Sequence, residues 1–363
     1  MSSASIPRRA ITRQLAATGA LALVSAVSAD VARARADRDW LAPWIAGPPK
    51  GFSPFDAPGY VVQVSKGTDF ASVMQPNQLW PRLGVAKVLL ERALMDLTGE
   101  INLVKALGRL VHPSETVALK VNGIAGQTGH TMAFNFEFVL PLVEALLQLG
   151  VKAERITVFE QFPNFLAGSR VNVKASQLPA GVKAESHNNR DAKMPQVRVF
   201  HSVKTRYVRQ VTDASAVIDL TMMKDHSICG FTGALKNMSH GQIVNPQDHH
   251  AHGASPQIAL LNHHPVLRSR VRLHLVDAMK IIYDEGPLDK NPVKRVPHGS
   301  FYASTDPVAI DRVGWKVIDD ARLHHKLKPL DKVKRTPRYI LAAAELGLGV
   351  ARLDAIRLRS VNL

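Results

Sequence analysis

Short apolar runs alternate with amphipathic stretches along most of the chain. The runs have the length and the β-branched content of buried strands, and they cover residues 60–64, 116–122, 155–160, 217–223, 271–277 and 300–304. Between them, apolar residues recur at helical spacing, which predicts helices over residues 85–110 (with a break at 98–99), 131–150, 308–320 and 339–346. This alternation predicts an α/β fold, with a mainly parallel sheet and helices on both of its faces.

Two regions lack a clean periodicity. Residues 37–59 are rich in proline and glycine, which indicates an irregular lead-in. Residues 163–195 are mixed and polar, and we expect them to form an insertion in, or a lid on, a single α/β domain of residues 60–363.

The first 36 residues have the features of an export signal. Arg8 and Arg9 form a twin arginine, and an uncharged apolar stretch of small residues follows over 15–29. This stretch is shorter than the roughly 20 residues that a membrane-spanning helix needs. We therefore predict a twin-arginine signal peptide read by the export machinery, cleaved after Ala36 or Ala29, and a periplasmic mature chain without a transmembrane helix. The alternative is a disordered basic N-terminus.

Charge and cysteine content exclude several classes of site. The chain has 46 Lys and Arg against 30 Asp and Glu, a formal charge of +16, but its basic residues are spread out without interleaved aromatic residues. We therefore expect no nucleic-acid partner, and the excess charge favours a small anionic ligand or a solvated basic surface. The single cysteine, Cys229, rules out an intramolecular disulfide, and no iron–sulfur cluster is expected.

The chain is organised around residues 217–252, where polar residues follow a buried strand. Open α/β sheets usually build their sites at the carboxyl ends of strands. By this reasoning the candidate catalytic residues are Lys224, His226, Lys236 and Asp277. The candidate ligand-binding residues are Lys120, Asn122, Glu160, Thr232 and Asn237.

Five histidines in this stretch are candidate metal ligands: His226, His240, His249, His250 and His252. Imidazole suits zinc, copper, nickel or ferrous iron, so their density favours a divalent transition metal as a cofactor. On an extended segment, His250 and His252 would point to one side and His249 to the other. The alternative is a solvated polar loop, because no compact motif such as H-E-x-x-H is present.

Lysines near glycine- or asparagine-containing loops favour an anion site as a second possibility. Lys120, Lys224 and Lys236 are so placed, and backbone N–H groups of such loops, including the glycine-bearing loop 123–129, could cradle a phosphate or carboxylate. The alternative is surface charge, or pairing with buried aspartates. Asp306 precedes Pro307 and is a predicted helix N-cap. Cys229 is a candidate nucleophile or, more simply, a small buried apolar residue.

Five segments occur in an order that resembles the bacterial and archaeal family catalogued as domain of unknown function 362. They are residues 119–122 with the glycine loop, 150–160, 223–237, 276–287 and 303–311. The resemblance implies an α/β fold more than an activity. Many relatives carry an appended ferredoxin-like iron–sulfur module, whose cysteines this chain lacks.

The functional hypothesis from the sequence is an exported, metal- or anion-dependent enzyme with its site at the strand ends around residues 217–252. The alternative is a non-catalytic periplasmic metal- or ligand-binding protein, or a maturation factor.

Overall fold

The computed structural model describes residues 38–67, 69–124, 132–171 and 177–363. The predicted signal peptide and most of the glycine-bearing loop lie outside these ranges. None of the helices in the described ranges combines the length and apolar character needed to cross a lipid bilayer.

The strands are β1 (Tyr60–Ser65), β2 (Val117–Val121), β3 (Ile156–Glu160), β4 (Lys183–Ser186), β5 (Val197–Phe200), β6 (Val203–Thr205), β7 (Ala216–His226), β8 (Gly230–Thr232), β9 (Val271–Ile282), β10 (Arg295–Ser304) and β11 (Arg357–Asn362). The α-helices are α1 (Arg38–Leu41), α2 (Phe70–Val73), α3 (Leu83–Thr98), α4 (Leu103–Gly108), α5 (Phe136–Leu149), α6 (Pro163–Gly168), α7 (Arg209–Thr212), α8 (Ala234–His240), α9 (Ser255–His263), α10 (Pro265–Arg268), α11 (Pro307–His324) and α12 (Arg338–Glu345).

One large sheet has the strand order β11-β1-β10-β9-β7-β2-β3-β4, with β8 paired to β7. Strands β4, β3, β2, β7 and β9 are mutually parallel, as are β1 and β11, whereas β10 and β8 are antiparallel to their neighbours. The predicted mainly parallel sheet is therefore confirmed. The unit β2–α5–β3 is a β-α-β crossover between parallel strands.

Helices cover both faces of this sheet, as predicted. One face of β7 carries Ile218 and Leu220, which share a core with residues of α3, α4 and α5. The other face carries Met223, which packs in a core with residues of α8, α9, α11 and α12. Because both faces are buried, β7 reads in the sequence as a continuous apolar run and shows no alternation.

The structure differs from the apolar pattern in the length of β7 and adds three short strands, β4, β5 and β6. Strand β7 continues to His226 because its polar end pairs with β8, with Lys224 opposite Thr232. Strand β4, within the segment predicted as an insertion, pairs with β3 at one edge of the main sheet. Strands β5 and β6 pair with each other in a separate two-stranded sheet, so they are not edge strands of the main sheet.

Helix ends follow the predicted signals. The break between α3 and α4 is at Gly99, whose φ of 76° is the left-handed conformation that ends α3. Asp306 caps α11: its carboxylate accepts hydrogen bonds from the N–H groups of Val308 and Ala309 at 2.9 and 2.8 Å. The same carboxylate accepts from the N–H groups of Gly59 and Val350, so it joins α11 to both ends of the domain.

The two edges of the main sheet are short and charged. At one edge, β11 pairs with β1, Arg359 forms an ion pair with Asp96 at 3.0 Å, and Arg357 lies over the Tyr60 ring. At the other edge, β4 is only four residues long and begins with an exposed lysine, Lys183.

Candidate functional site

A small cavity of about 70 Å³ lies at the carboxyl ends of β2, β3 and β7, beside α8. Its wall contains eight of the predicted site residues, namely Lys120, Asn122, Glu160, His226, Thr232, Lys236, Asn237 and His240. Residues from five separate elements meet here because the parallel strands β2, β3 and β7 end at the same edge of the sheet, where β8 and α8 follow β7.

Lys120 and Glu160 form a buried ion pair in the wall. Lys120 Nζ lies 3.1 Å from Glu160 Oε1, and each side chain is almost inaccessible to solvent. Lys120 also donates to the Val121 carbonyl and to Asn237 Oδ1, while Glu160 accepts the N–H groups of Gly123 and Gln161. A buried charge is tolerated when it is paired and hydrogen-bonded in this way, so this pair holds the wall in place.

Two asparagines connect the lysines to one another. Lys224 Nζ donates to Asn122 Oδ1 at 2.7 Å, and Asn122 Nδ2 donates to Asn237 Oδ1 at 3.3 Å. Lys224 is fully buried behind the cavity wall, and burial lowers the pKa of its ammonium group to about 7. Lys224 therefore lies adjacent to the cavity without lining it.

A row of polar residues runs beneath α8, across β2, β7 and β9. The strand register places Lys120 opposite Asp219, and Asp219 opposite His274. Asp219 Oδ2 accepts from His274 Nδ1 at 2.9 Å, and Asp219 Oδ1 accepts from Asn237 Nδ2 at 2.6 Å. Burial raises the pKa of the Asp219 carboxyl group, and these two hydrogen bonds oppose that rise.

Lys236 differs from Lys120, since no carboxylate among the described residues lies within ion-pair distance of its Nζ. It contacts His250, whose Nε2 is 3.2 Å from Lys236 Nζ and whose Nδ1 is 3.0 Å from the Pro246 carbonyl. Because Nδ1 must donate to that carbonyl, Nε2 is the acceptor for the lysine. Burial lowers the pKa of Lys236 to about 8. Thr232, also in the wall, has a buried hydroxyl without a hydrogen-bond partner in the described ranges.

Four of the five predicted metal-ligating histidines come together. The ring centroids of His240 and His250 are 4.5 Å apart, and those of His226 and His250 are 6.2 Å apart. Burial, together with the nearby Lys236, lowers the pKa of His226 to about 3 and that of His250 to about 4. Burial also lowers the pKa of His240 well below its ordinary value and that of His249 to about 4. These four imidazoles are therefore neutral at pH 7.

The segment that carries His249, His250 and His252 is not extended. It forms one short 3₁₀ helix, Pro246–His249, and then a left-handed turn in which His252 and Gly253 have φ values of 55° and 66°. His252 is consequently exposed beside Phe200, apart from the other rings. The expectation that His250 and His252 share one side was wrong, because the backbone does not keep the alternation of a strand.

Several ring nitrogens in this cluster already have partners. His240 Nε2 lies 3.1 Å from the His249 carbonyl, and His226 Nδ1 accepts the N–H groups of Ile228 and Cys229. The described ranges contain no group of three or more His, Cys, Asp or Glu side chains placed to hold a metal ion. Metal binding at these histidines therefore stays a prediction from their density in the sequence.

The backbone at the start of α8 does not offer the predicted anion cradle. Asp311 of α11 accepts the N–H groups of Ala234 and Leu235 at 2.6 and 3.0 Å. A carboxylate of the protein therefore occupies the place that a ligand anion would take. Cys229 is buried, donates its thiol to the Phe231 carbonyl, and has its pKa raised to about 11 by burial, which is unfavourable for a nucleophile.

Asp277 lies outside the cavity and has structural partners. Its carboxylate accepts the backbone and side-chain N–H groups of Asn135 at 2.9 and 2.6 Å and the N–H of Met279 at 3.1 Å. These bonds attach the start of α5 to β9. The predicted catalytic role of Asp277 therefore has no support from its position.

Sequence reasoning missed His274. This residue is one histidine within an apolar strand, and its partner Asp219 is 55 positions away. The available signal was Asp219 itself, because a carboxylate inside an apolar run must find a partner when it is buried.

Comparisons with known proteins identify a family but no activity. Residues 117–316 match the family described as Domain of unknown function (DUF362), which bears out the resemblance seen in the sequence. No protein with a curated description matches the chain in sequence. Among solved structures, the chain is similar to the lactate racemase apoprotein from Thermoanaerobacterium thermosaccharolyticum, with 10% identity and a TM-score of 0.36. The similarity covers 72% of this chain and 59% of that protein.

Proposed function

The chain belongs to the domain of unknown function 362 family, and we propose that it is an enzyme that binds a small anion in the cavity at the strand ends and exchanges a proton with it through Lys236. The observation that carries this proposal is the burial of Lys236 without a carboxylate partner among the described residues. Its side chain lies in a cavity wall, and the described residues give its ammonium group a neutral imidazole but no carboxylate.

A bound anion would complete the interactions that the cavity leaves open. The Lys236 ammonium group has three N–H donors, of which His250 takes one. The Thr232 hydroxyl has no partner in the described ranges and can donate to the same anion. Neutral His226 and His240 complete the wall without adding charge. With a volume of about 70 Å³, the cavity suits a ligand the size of acetate or phosphate.

Acid–base chemistry follows from the pKa of Lys236. A general base works best when its pKa lies near the working pH, and burial brings the pKa of Lys236 to about 8. The ammonium form attracts the anion and then releases one proton to solvent. The resulting neutral amine accepts a proton from the ligand, and a proton from solvent replaces it on the ligand. The Lys120–Glu160 pair also lies in the wall and its charges are already paired, so we assign it a positioning role.

Calorimetric titration with acetate and inorganic phosphate tests the binding step. Since anion binding needs the ammonium form, we expect the apparent Kd to rise about tenfold between pH 7 and pH 9. Lys236→Met should abolish binding, and Thr232→Val should weaken it about fivefold through one lost hydrogen bond. The exposed Lys332→Met is the matched control and should bind as the wild type does. Unchanged binding in Lys236→Met would refute the proposal.

Solvent exchange tests the catalytic step. The protein is incubated in deuterated water with a panel of small carboxylates, and deuterium incorporation next to the carboxylate is followed by NMR. Incorporation that Lys236→Met abolishes supports the enzyme. Binding without incorporation across the panel supports the alternative, a non-catalytic ligand-binding protein.

We also propose that the protein is exported through the twin-arginine machinery, based on Arg8, Arg9 and the apolar stretch that follows. Cell fractionation tests this proposal. Replacing Arg8 and Arg9 by lysine should retain the full-length precursor in the cytoplasm, and unchanged periplasmic recovery would contradict the assignment.

A further inference from the structure

A second and larger cavity, of about 390 Å³, lies at the amino-terminal end of β9, away from the candidate site. Its volume falls within the roughly 300–1,000 Å³ typical of small-molecule sites. It is lined by the start of β9, the residues after β10, the lead-in before β1 and the glycine-containing segment after α12. No residue of this cavity takes part in the function proposed above.

One wall of this cavity carries an imidazole oriented by a carboxylate. His274 lines the cavity, and its Nδ1 donates to the buried Asp219 carboxylate at 2.9 Å. Because Nδ1 carries the proton, Nε2 is the ring nitrogen left to accept a hydrogen bond from a ligand. This is the arrangement that fixes the tautomer of a general base.

Two guanidinium groups supply positive charge beside this imidazole. Arg272 donates to the Ser269 and Ser215 carbonyls at 2.9 and 3.4 Å and forms an ion pair with the buried Glu115 at 3.7 Å, but its Nε–H is buried without an acceptor among the described residues. Arg268 is exposed at the rim and donates one N–H to the Gly347 carbonyl at 3.2 Å. A guanidinium has five N–H donors, so both arginines retain donors for a carboxylate.

The remaining wall combines apolar surface with carboxylates that are already engaged. Phe55, Val271 and Leu348 contribute apolar surface. Asp306 accepts four backbone N–H groups, and Asp56 accepts the Thr305 hydroxyl at 2.8 Å. These two carboxylates form no ion pair with Arg268 or Arg272, so the guanidinium N–H groups that Gly347, Ser215, Ser269 and Glu115 leave free are available to an incoming anion.

We propose that this cavity is a second binding site, for a small organic carboxylate with an apolar body and a hydroxyl group. The carboxylate is held by Arg268 and Arg272, the apolar body lies against Phe55 and Leu348, and the hydroxyl donates to His274 Nε2. The carboxylate, the apolar body and the hydroxyl of the ligand thus each contact a different part of the cavity wall.

Calorimetric titration of the full chain with 4-hydroxybenzoate, benzoate and phenol tests the proposed contacts of the carboxylate, the ring and the hydroxyl group. We expect 4-hydroxybenzoate to bind about tenfold more tightly than benzoate, which lacks the hydroxyl, or phenol, which lacks the carboxylate. Arg268→Gln should weaken 4-hydroxybenzoate binding about tenfold. Arg338→Gln removes the same charge from an exposed residue outside the cavity and should change nothing.

Two further variants locate the site. Leu348 is half-buried, so Leu348→Trp should fill the cavity without unfolding the chain, which circular dichroism checks, and it should abolish binding. Lys236→Met alters the other cavity and should leave 4-hydroxybenzoate binding intact. The proposal is overturned if Leu348→Trp binds as the wild type does, if Lys236→Met abolishes binding, or if the three probes bind equally.

Discussion

Replacing the buried Lys224 by methionine should change stability in a way that depends on pH. Burial lowers the pKa of Lys224 from 10.5 to about 7, which corresponds to a penalty of about 5 kcal/mol on its charged form. Below pH 7 the folded protein bears all of this penalty. Between pH 7 and 10.5 the unfolded chain binds more protons than the folded one, so stability rises with pH. At pH 9 the remaining penalty is about 2 kcal/mol.

Methionine removes this penalty and keeps most of the side-chain volume, but it leaves Asn122 Oδ1 without the lysine as donor. That loss costs about 1–3 kcal/mol at either pH. We therefore expect Lys224→Met to be more stable than the wild type by about 2–4 kcal/mol at pH 6, and about equal to it at pH 9.

Urea unfolding at pH 6 and pH 9, followed by circular dichroism, measures this difference. The control is Lys87→Met, because Lys87 lies exposed on α3, and its effect should be the same at both pH values. The prediction rests on the stabilisation by Lys224→Met, which should be about 3 kcal/mol larger at pH 6 than at pH 9. This difference does not depend on the cost of leaving Asn122 Oδ1 without its donor, because that cost is the same at both pH values. An effect of Lys224→Met that is equal at pH 6 and pH 9 would show that Lys224 does not lose its proton near neutral pH.

Three further predictions concern other parts of the molecule. Asp306→Ala should lower the free energy of unfolding by about 4 kcal/mol or more in urea titration, because four backbone N–H groups lose a charged acceptor; a loss under about 1 kcal/mol would contradict this. Gly233→Ala should lower it by about 2 kcal/mol, since the added Cβ would lie 2.2 Å from Asp311 Oδ1; wild-type stability would mean that Asp311 moves freely. Elemental analysis of tag-free protein tests the predicted histidine site, which requires near-stoichiometric metal that is lost when His249 and His250 are replaced by alanine; well under one metal ion per chain in the wild type would refute that site.

Strands β1, β2, β3, β7, β9 and β10 followed from the sequence because burial makes each of them a largely apolar run, whereas the short strands β4 and β8 did not. The convergence of Lys120, Glu160 and His226 followed as well, since strand ends of a parallel sheet meet at one edge. Residues that end a strand can thus be grouped without knowing which strands are neighbours.

Other features of the site depend on which strands are neighbours and on local backbone angles, and neither can be read from the nearby sequence. His274 meets Asp219 only because β9 lies beside β7 in the sheet. The exposure of His252 depends on positive φ values at His252, Gly253 and Ala254, and alanine gives no sign of a left-handed conformation. Asp277 ends its predicted run as Glu160 does, yet the partners of its carboxylate are Asn135 and Met279.

The charged margins of the main sheet have a consequence for the behaviour of the protein at high concentration. An exposed strand edge can template pairing with another chain, which leads to aggregation. Here one margin is β11, where Arg357 and Arg359 project from a strand whose residues are mostly exposed. The other is β4, which is four residues long and carries Lys183 and Glu185. Two sheets of this protein that met edge to edge would have to desolvate these charges, so the margins oppose strand-mediated association of folded molecules.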